Sequence, residues 1–279
     1  MQQDLLHRYI FENHDVRGEL VQLDQTFSEI IENHNYPTEV KQLIGELLVA
    51  TCLLTATLKF EGEIAVQLQG DGPVKYAVIN GNHQQTMRGI ARIQGEITDT
   101  GVLNLIGKGH MVITITPLKG ERYQGIVPLV SNSLAECLEQ YFQQSEQLRT
   151  RMWISTDAEQ EKCSGMLLQV LPVNKEKAEQ DFTHLEALTN TIKDEELLNL
   201  DGHTVLTRLY HEDNPRLFDP QPVSFRCGCS RDKIADAIVN VGKDALLEDA
   251  KEQGAIKINC QYCLKEYQFN KRDIENIFN

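Results

Sequence analysis

The chain has 279 residues, of which 41% are hydrophobic, 24% charged and 6% aromatic. This composition is typical of a folded globular protein and excludes wholesale disorder. The formal net charge of -14 disfavours nonspecific binding to nucleic-acid phosphates or to anionic lipid. Because a single core stops growing near about 250 residues, the length predicts one sizeable domain and one small one.

The start of the chain and its cysteine content bear on its compartment. The sequence MQQDLLHRYIFENHD has acidic residues where a signal peptide has a basic segment and then an apolar run, which predicts a cytoplasmic protein. The longest apolar stretch, residues 47–58, is shorter than the roughly 20 residues that span a bilayer, so we expect a buried helix and no membrane partner. The seven cysteines favour metal or redox chemistry over a secreted disulfide framework.

The first part of the chain mixes strand-like and helical patterns. It begins with two strands, RYIFE and VRGELVQL, and a helix that runs from Gln25 to His34. The run after Pro37 has helical spacing, which predicts a core helix with Thr38 as its N-cap. From Glu63 the period changes to two, and the hairpin there continues through TMRGIARI, VLNLI and HMVITITP as a mostly antiparallel sheet.

A capping box of Ser133 and Glu136 predicts a helix to about Leu148, with Cys137 on its apolar stripe. Two strand-like stretches, RMWIST and GMLLQVLPV, then lead to Pro172, where the character of the chain changes. The sequence therefore predicts an α+β protein whose N-terminal α/β domain covers residues 1–173.

A strongly acidic segment follows, and we predict it to be a helical linker over residues 174–222. Residues 176–220 have eleven acidic and four basic residues, a net charge of -7. Their apolar residues recur at helical spacing: Ala178, Phe182, Leu185, Leu188 and Ile192, and less regularly Leu197, Leu198, Val205, Leu206 and Leu209. Short acidic helices of this kind are marginal alone and need a surface to dock on. The alternative is a connector with a solvated face.

Four cysteines near the C-terminus form two close pairs. Cys227 and Cys229 make a CxC motif, and Cys260 and Cys263 make a CxxC motif. Zinc prefers four tetrahedral ligands, and two cysteine pairs supply four sulfurs without any histidine. The spacing therefore predicts a small zinc domain over residues 223–279 that binds one Zn²⁺.

A four-cysteine zinc domain can act as a regulatory switch, but three other functions are open to it. A plain structural zinc knuckle is the commonest use of four cysteines, and spacing alone favours it. A zinc ribbon that binds nucleic acid is the runner-up, but residues 221–279 have nine basic and nine acidic residues and so no basic footprint. A thioredoxin-like oxidoreductase that uses CQYC leaves the second thiol pair unexplained.

The motifs VSFRCGCS at 223–230 and INCQYCLKEYQF at 258–269 resemble the redox-regulated heat-shock holdase chaperone family, also called the thirty-three-kilodalton chaperonin. The run YPTEVKQLIGELLVATCLLTATLKFEGEIAVQLQGDGP and the motif RGIAR at 88–92 are also similar to that family, so the likeness extends across the chain. The resemblance implies an α/β domain, a helical linker folded on its sheet in the reduced state, and a C-terminal zinc module. It also implies that Cys227, Cys229, Cys260 and Cys263 bind zinc, and that oxidation pairs Cys227 with Cys229 and Cys260 with Cys263 as zinc leaves.

The function implied by the resemblance is that of an ATP-independent chaperone, inactive with zinc bound and activated by oxidation. It would respond to heat shock and oxidative stress, bind unfolding client proteins to prevent their aggregation, and form a homodimer when oxidised. The sequence has neither GxxxxGK[ST] nor a catalytic signature such as GxSxG, so we expect no enzyme activity. Cys52, Cys137 and Cys163 lie outside the matched motifs and are assigned no function.

Overall fold

A computed structural model describes residues 4–58, 61–171 and 175–278, without the side chains of 175–178. The chain forms two compact units, Met1–Phe225 and Arg226–Asn279. Mixed helices and mostly antiparallel sheets confirm the predicted α+β fold class. The three-part division at residues 173 and 222 stays a prediction, and the change of character at Pro172 lies outside the described residues.

The first unit contains twelve strands and seven helices among its described residues. The strands are β1 (Leu5–Phe11), β2 (Val16–Leu23), β3 (Gly62–Gly70), β4 (Val74–Asn82), β5 (Thr86–Ile93), β6 (Gly109–Pro117), β7 (Tyr123–Pro128), β8 (Thr150–Asp157), β9 (Lys162–Val170), β10 (Arg216–Leu217), β11 (Gln221–Pro222) and β12 (Ser224–Phe225). The helices are α1 (Gln25–Ile31), α2 (Thr38–Thr57), α3 (Val102–Ile106), α4 (Leu134–Tyr141), α5 (Lys175–Thr189), α6 (Asp194–Asn199) and α7 (Gly202–Tyr210).

These strands form two six-stranded sheets. The first sheet has the order β10-β1-β2-β9-β8, and β11 also pairs with β1. The second has the order β12-β5-β4-β3-β6-β7. Among the described strands the only parallel pair is β12 with β5, in which Ser224 lies opposite Thr86. Neighbours in sequence are therefore mostly neighbours in the sheets, as hairpin connections require.

The predicted core helix is α2, which packs against both sheets. Thirteen of its residues are buried, and they lie on all sides of the helix rather than along one stripe. Thr38 was predicted as the N-cap, and this is wrong: the helix begins at Thr38, and Pro37 is the cap with no side-chain hydrogen bond. A proline fits because its φ of -59° suits the entry to a helix.

Within the described part of the chain, one helix is long and apolar enough to cross a membrane, and it is α2. Most of this helix is buried inside the protein. The central helix of a folded core can be as long and as apolar as a membrane span. Its position in the core agrees with the buried helix predicted from the sequence.

Two parts of the sheet prediction are wrong. The segment VLNLI was predicted as a strand, but it is the helix α3, which lies between Gly101 at φ 92° and Gly107 at φ 74°. The Asn132 side chain accepts a hydrogen bond from the backbone of Leu103, which stabilises the start of this short helix. The strand β7 was not predicted. The helix predicted from Ser133 is present: Ser133 caps α4, which continues as a π-helical turn to Glu146, close to the predicted end at about Leu148.

The helices α5, α6 and α7, called the acidic helices below, pack on one face of the first sheet. Their buried apolar side chains are Phe182, Leu185, Leu197, Val205, Leu206 and Tyr210. The sheet contributes large side chains from its first strand, where Tyr9 and Phe11 lie within 5.9 Å and 4.9 Å of the Tyr210 ring. Gly18 lies under the Tyr9 ring, which a Cβ at that position would meet at 2.2 Å. Of the other residues predicted at helical spacing, Leu188, Ile192 and Leu209 also pack against this cluster, although Ile192 lies beyond the end of α5. Leu198 is not part of the cluster, and the Ala178 side chain lies outside the described residues.

The second unit is built from α8 (Arg231–Ile238), α9 (Lys243–Gln253), β13 (Ala255–Asn259), β14 (Glu266–Asn270) and α10 (Lys271–Ile277). The strands β13 and β14 form an antiparallel hairpin. The buried apolar residues of this unit are Ile238, Leu246, Ala250, Ile256, Cys260, Tyr267, Phe269 and Ile274. A core of this size is marginal for independent folding, so a further stabilising element is expected.

Candidate metal centre and the acidic helices

The sulfur atoms of Cys227, Cys229, Cys260 and Cys263 all lie within 4.8 Å of one another. The Sγ atoms of Cys227 and Cys260 are 3.4 Å apart, and those of Cys229 and Cys263 are 3.5 Å apart. Both distances exceed the about 2.05 Å of a disulfide bond, so these thiols are reduced. Four sulfurs around a tetrahedral ion with bonds of about 2.3 Å would be about 3.8 Å apart. The four cysteines are therefore arranged to hold one metal ion.

The CxC pair is positioned by a tight turn directly after β12. Gly228 adopts a φ of 66°, a left-handed conformation that glycine takes at no steric cost, and the sulfurs of both flanking cysteines belong to the cluster. The Lys233 ammonium donates to the Gly228 carbonyl at 2.9 Å. Ser230 then caps α8 by accepting a hydrogen bond from the Lys233 amide. The turn is thus fixed from the helix that follows it.

The CxxC pair lies in the loop of the β13–β14 hairpin. The amide of Cys260 donates to the Lys265 carbonyl at 2.9 Å, and the amide of Leu264 donates to the Cys260 carbonyl at 2.9 Å. Leu264 adopts a φ of 53°, which closes the loop. The hairpin therefore presents both thiols from one short loop, as metal knuckles do.

A tyrosine outside the cysteine motifs also contacts the sulfur cluster. The Tyr267 hydroxyl donates to Cys229 Sγ at 3.1 Å. Burial raises the pKa of the Cys229 thiol, but the hydrogen bond from Tyr267 and those from the other cysteines outweigh it and lower this pKa to about 7. Burial raises the pKa of Cys227. One sulfur of the cluster therefore has thiolate character near neutral pH, the form that binds metals and reacts with oxidants.

The remaining three cysteines lie in the first unit and are core residues. Cys52, Cys137 and Cys163 are each at most 1% exposed. Burial raises the pKa values of the Cys52 and Cys163 thiols. Thiols that are buried and protonated are poor nucleophiles. No function was assigned to them from the sequence, and the structure places all three in the core.

Polar contacts tie the acidic helices to the first sheet around the apolar interface. Arg149 bonds Glu179 and Glu186, each at 2.7 Å, and its guanidinium lies 4.6 Å from the centre of the Phe182 ring. The Gln22 side chain donates to the carbonyls of Leu197 and Leu200 at 2.9 Å and 2.7 Å. These partners lie far apart in sequence, which is why sequence patterns did not identify them. They make the docked position of the helices specific.

Trp153, the only tryptophan of the chain, is at this interface. It is half-buried on β8, packs against the apolar cluster, and donates from Nε1 to the Asn190 side chain at 2.9 Å. Its emission therefore reports whether the acidic helices are docked.

Comparison with known proteins gives consistent matches over the whole length. The sequence model of the Hsp33 protein family matches residues 4–270. The chain is 67% identical to the 33 kDa chaperonin of Pseudoalteromonas translucida (strain TAC 125), with 100% of both chains aligned. It is 54% identical to the 33 kDa chaperonin of Aeromonas salmonicida (strain A449), over 99% of this chain and 95% of that one.

The fold has a match among solved structures as well. The crystal structure of the 33 kDa chaperonin from Thermotoga maritima superposes with a TM-score of 0.86 at 21% identity, and the match covers 99% of this chain and 98% of that one. At that identity the likeness concerns the fold alone. With a family match over nearly the whole sequence and relatives above half identity, the chain belongs to the Hsp33 family.

Proposed function

We propose that this chain is a redox-regulated, ATP-independent holdase chaperone of the cytoplasm. In the reduced state Cys227, Cys229, Cys260 and Cys263 hold one Zn²⁺ and the chaperone is inactive. Oxidation activates it to bind unfolding client proteins and prevent their aggregation. The observation that carries the proposal is the group of four sulfurs within 4.8 Å of one another in the small second unit.

The donor set supports zinc as the metal. Four thiolates in a tetrahedral arrangement suit Zn²⁺, which has no redox chemistry of its own and holds cysteines as thiolates. When bound, zinc would supply folding free energy to the second unit, whose core is small. Its presence or absence therefore decides whether this unit is folded.

The redox step is the oxidation of thiols to disulfides. Each disulfide removes two electrons and two protons from two thiols, and a peroxide oxidant takes them up to give water. The proposed pairs are Cys227 with Cys229 and Cys260 with Cys263. Bridges between such close neighbours close very small loops, so they do not replace the link between the two halves of the site. The second unit is then expected to unfold.

The position of the acidic helices supports a way to transmit this unfolding. Cys227 follows β12 after a single residue, and β12 is the last element of the first unit. Loss of the fold beyond Arg226 weakens the restraint on the segment that leads back through β10 to α7. Undocking of the acidic helices would uncover apolar side chains on both partners, among them Tyr9, Phe11 and Phe182. Such a surface binds unfolded proteins.

The acidic character of the helices fits the same function. A charged segment keeps a chaperone and its client soluble, while its apolar residues make weak contacts. The second unit has no basic footprint, so we expect no nucleic-acid partner. A homodimer in the oxidised state is part of the proposal and rests on the family resemblance.

One experiment follows the thiol, the metal and the client together. Zinc-loaded reduced protein is treated with hydrogen peroxide while zinc release, Trp153 emission and the light scattering of a thermally unfolding client are recorded. We expect zinc release, a red shift of the emission and suppressed scattering to rise together, and a thiol reductant to reverse them. Zinc release without protection of the client would leave a structural metal site and contradict the chaperone proposal.

The disulfide pairing needs its own measurement. Peptide mapping by mass spectrometry of the oxidised protein should give the bonds Cys227–Cys229 and Cys260–Cys263. In the reduced structure the nearest sulfurs are instead Cys227 with Cys260 and Cys229 with Cys263. Cross-linked products between the two motifs would overturn the proposed pairing.

A further inference from the structure

The Tyr267 side chain connects the two parts of the second unit that carry the cysteine motifs. It lies on β14, opposite Ile258 of β13, and is only 8% exposed. Its hydroxyl donates to Cys229 Sγ at 3.1 Å. The hairpin that carries the CxxC motif thus contributes a hydrogen-bond donor to a sulfur of the CxC motif, in addition to its own two sulfurs.

The ring of Tyr267 is held in place by contacts that do not involve its hydroxyl. It belongs to the buried apolar cluster of the second unit, and the Lys265 ammonium lies 5.5 Å from the ring centre. A cation at this distance from an aromatic ring is attracted to it. A phenylalanine at this position would therefore keep both contacts and lose the hydrogen bond to Cys229.

The hydrogen bond acts on the charge of the sulfur. When zinc is bound all four cysteines are thiolates, so the donor no longer decides whether Cys229 is ionised. It still draws electron density from the Cys229 sulfur, and a thiolate stabilised in this way is a weaker nucleophile. Cys263 offers a comparison within the same cluster, since its sulfur accepts from the backbone amide of Lys265. That amide remains when the Tyr267 hydroxyl is removed.

We propose that Tyr267 is a positioning residue that slows the attack of Cys229 on peroxide in the zinc-loaded protein. The proposal rests on the proposed redox function and concerns the first step of disulfide formation. In that step the Cys229 thiolate bonds to one peroxide oxygen, the O–O bond breaks and hydroxide leaves, so that the sulfur becomes a sulfenic acid. The Cys227 thiolate then attacks this sulfur, which forms the disulfide and expels a second hydroxide. Tyr267 holds the lone pair that the first step requires, and thus raises the amount of oxidant needed to form this bond.

Site-resolved alkylation of the zinc-loaded, reduced full chain measures the effect. Short treatment with iodoacetamide followed by tandem mass spectrometry gives the fractions of Cys229 and Cys263 that are modified. A hydrogen bond to a charged acceptor corresponds to about 10- to 100-fold in an equilibrium, and roughly half of this in logarithm enters the rate. Tyr267→Phe should therefore raise the modification of Cys229 relative to Cys263 about three- to tenfold. Hydrogen peroxide should form the Cys227–Cys229 bond faster by a similar factor.

Two control variants separate the hydrogen bond from general effects. Tyr123→Phe removes a hydroxyl from β7 in the first unit, and Ile258→Val loosens the packing opposite Tyr267 while its hydroxyl remains. Both should keep the wild-type ratio of Cys229 to Cys263 modification. An increase in Ile258→Val equal to that in Tyr267→Phe would assign the effect to a looser fold and overturn the proposal.

Cobalt provides a reading that a looser fold would not mimic. With Co²⁺ in the site, the thiolate-to-cobalt charge-transfer band should move to longer wavelength in Tyr267→Phe, because a sulfur lone pair without a donor lies higher in energy. Wild-type protein labelled with 3-fluorotyrosine, whose hydroxyl donates more strongly, should give the opposite shift and serves as the test if the variant does not fold. An unchanged band or ratio in the folded variant, or no shift in the labelled protein, would overturn the proposal. Neither reading involves a client, so loss of client protection with both effects intact would contradict the proposed function alone.

Discussion

In the first unit, α2 buries thirteen residues against two six-stranded sheets, whereas the described part of the second unit has one hairpin and three helices around a small core. One of the buried residues of that small core is Cys260, which also belongs to the sulfur cluster. The core of the second unit therefore includes one of the thiols that the proposed function assigns to oxidation. The thiols of the first unit are buried in a core that does not need a metal. Under the proposed function, oxidation would therefore unfold the second unit and leave the core around α2 intact.

Removal of the metal should give the largest difference between the two units. With a chelator, or in Cys260→Ser, we expect the second unit to lose on the order of 10 kcal/mol of stabilisation and to unfold. Hydrogen exchange should show loss of protection in β13 and β14 and retained protection in β2 and β9. Cys137→Ala, which removes a buried thiol from the first unit, is the control and should keep its metal. Protected amides in β13 after metal removal would show that the second unit folds on its own core.

Truncation of a large side chain in the apolar interface should undock the acidic helices from the first sheet. Phe182 is fully buried there, and Phe182→Ala should destabilise the docked state of the helices by about 3–5 kcal/mol. We expect a red shift of Trp153 emission and client protection without oxidant. The matched control is Phe218→Ala, at a phenylalanine that is 43% exposed. Constitutive activity of the control, or an inactive reduced Phe182→Ala protein with altered emission, would argue against undocking as the activating step.

The pH dependence of stability tests the buried carboxyl of the first unit. The folded-state pKa of Glu19 is raised from 4.5 to about 7. As pH rises from about 4.5 to 7, the unfolded chain loses this proton while the folded one keeps it, so the free energy of unfolding should fall by about 3 kcal/mol. Glu19→Gln should remove this loss and be more stable than wild type at pH 8, as measured by urea unfolding at pH 5 and pH 8. Glu121→Gln, at an exposed position, should keep the wild-type slope.

The smallest effect is expected at the ionic rim of the interface. Arg149→Met removes the bonds to Glu179 and Glu186 and the contact with the Phe182 ring, and should cost about 1–2 kcal/mol at low salt. Because exposed ion pairs are screened, the difference from wild type should shrink in about 1 M salt. Trp153 emission during urea titration at both salt concentrations measures it. A difference that does not change with salt would mean that packing, rather than charge, sets the contribution of Arg149.

The parts of this fold that the sequence predicted are those governed by local rules. Neighbouring residues alone indicate two features. One is the change of period at Glu63, and the other is the pair of cysteine motifs, Cys227 with Cys229 and Cys260 with Cys263. The helix α3 was missed because a five-residue segment between two glycines, apolar except for Asn104, fits a strand as well as a helix. The capping prediction at Thr38 failed because a proline in the right conformation starts the helix one residue earlier.

Contacts between distant residues explain the rest. The hydrogen bond of Tyr267 to Cys229 joins residues 38 positions apart, and that of Gln22 to Leu197 joins residues 175 positions apart. The alternation of Tyr267 and Phe269 in β14 indicates a buried strand face, but not that a hydroxyl reaches the sulfur cluster.

The segment between α7 and the second unit pairs with an edge of each sheet. β10 and β11 cover β1, and β12 covers β5, each by a two-residue pairing. Unpaired edge strands are templates for pairing with other chains, and short strands that cover them protect against such aggregation. Release of this segment would expose two sheet edges at once, on β1 at Tyr9–Ile10 and on β5 at Thr86–Met87. Residues 216–225 thus protect the reduced protein from edge-to-edge association. Unfolding of the second unit would release the same residues.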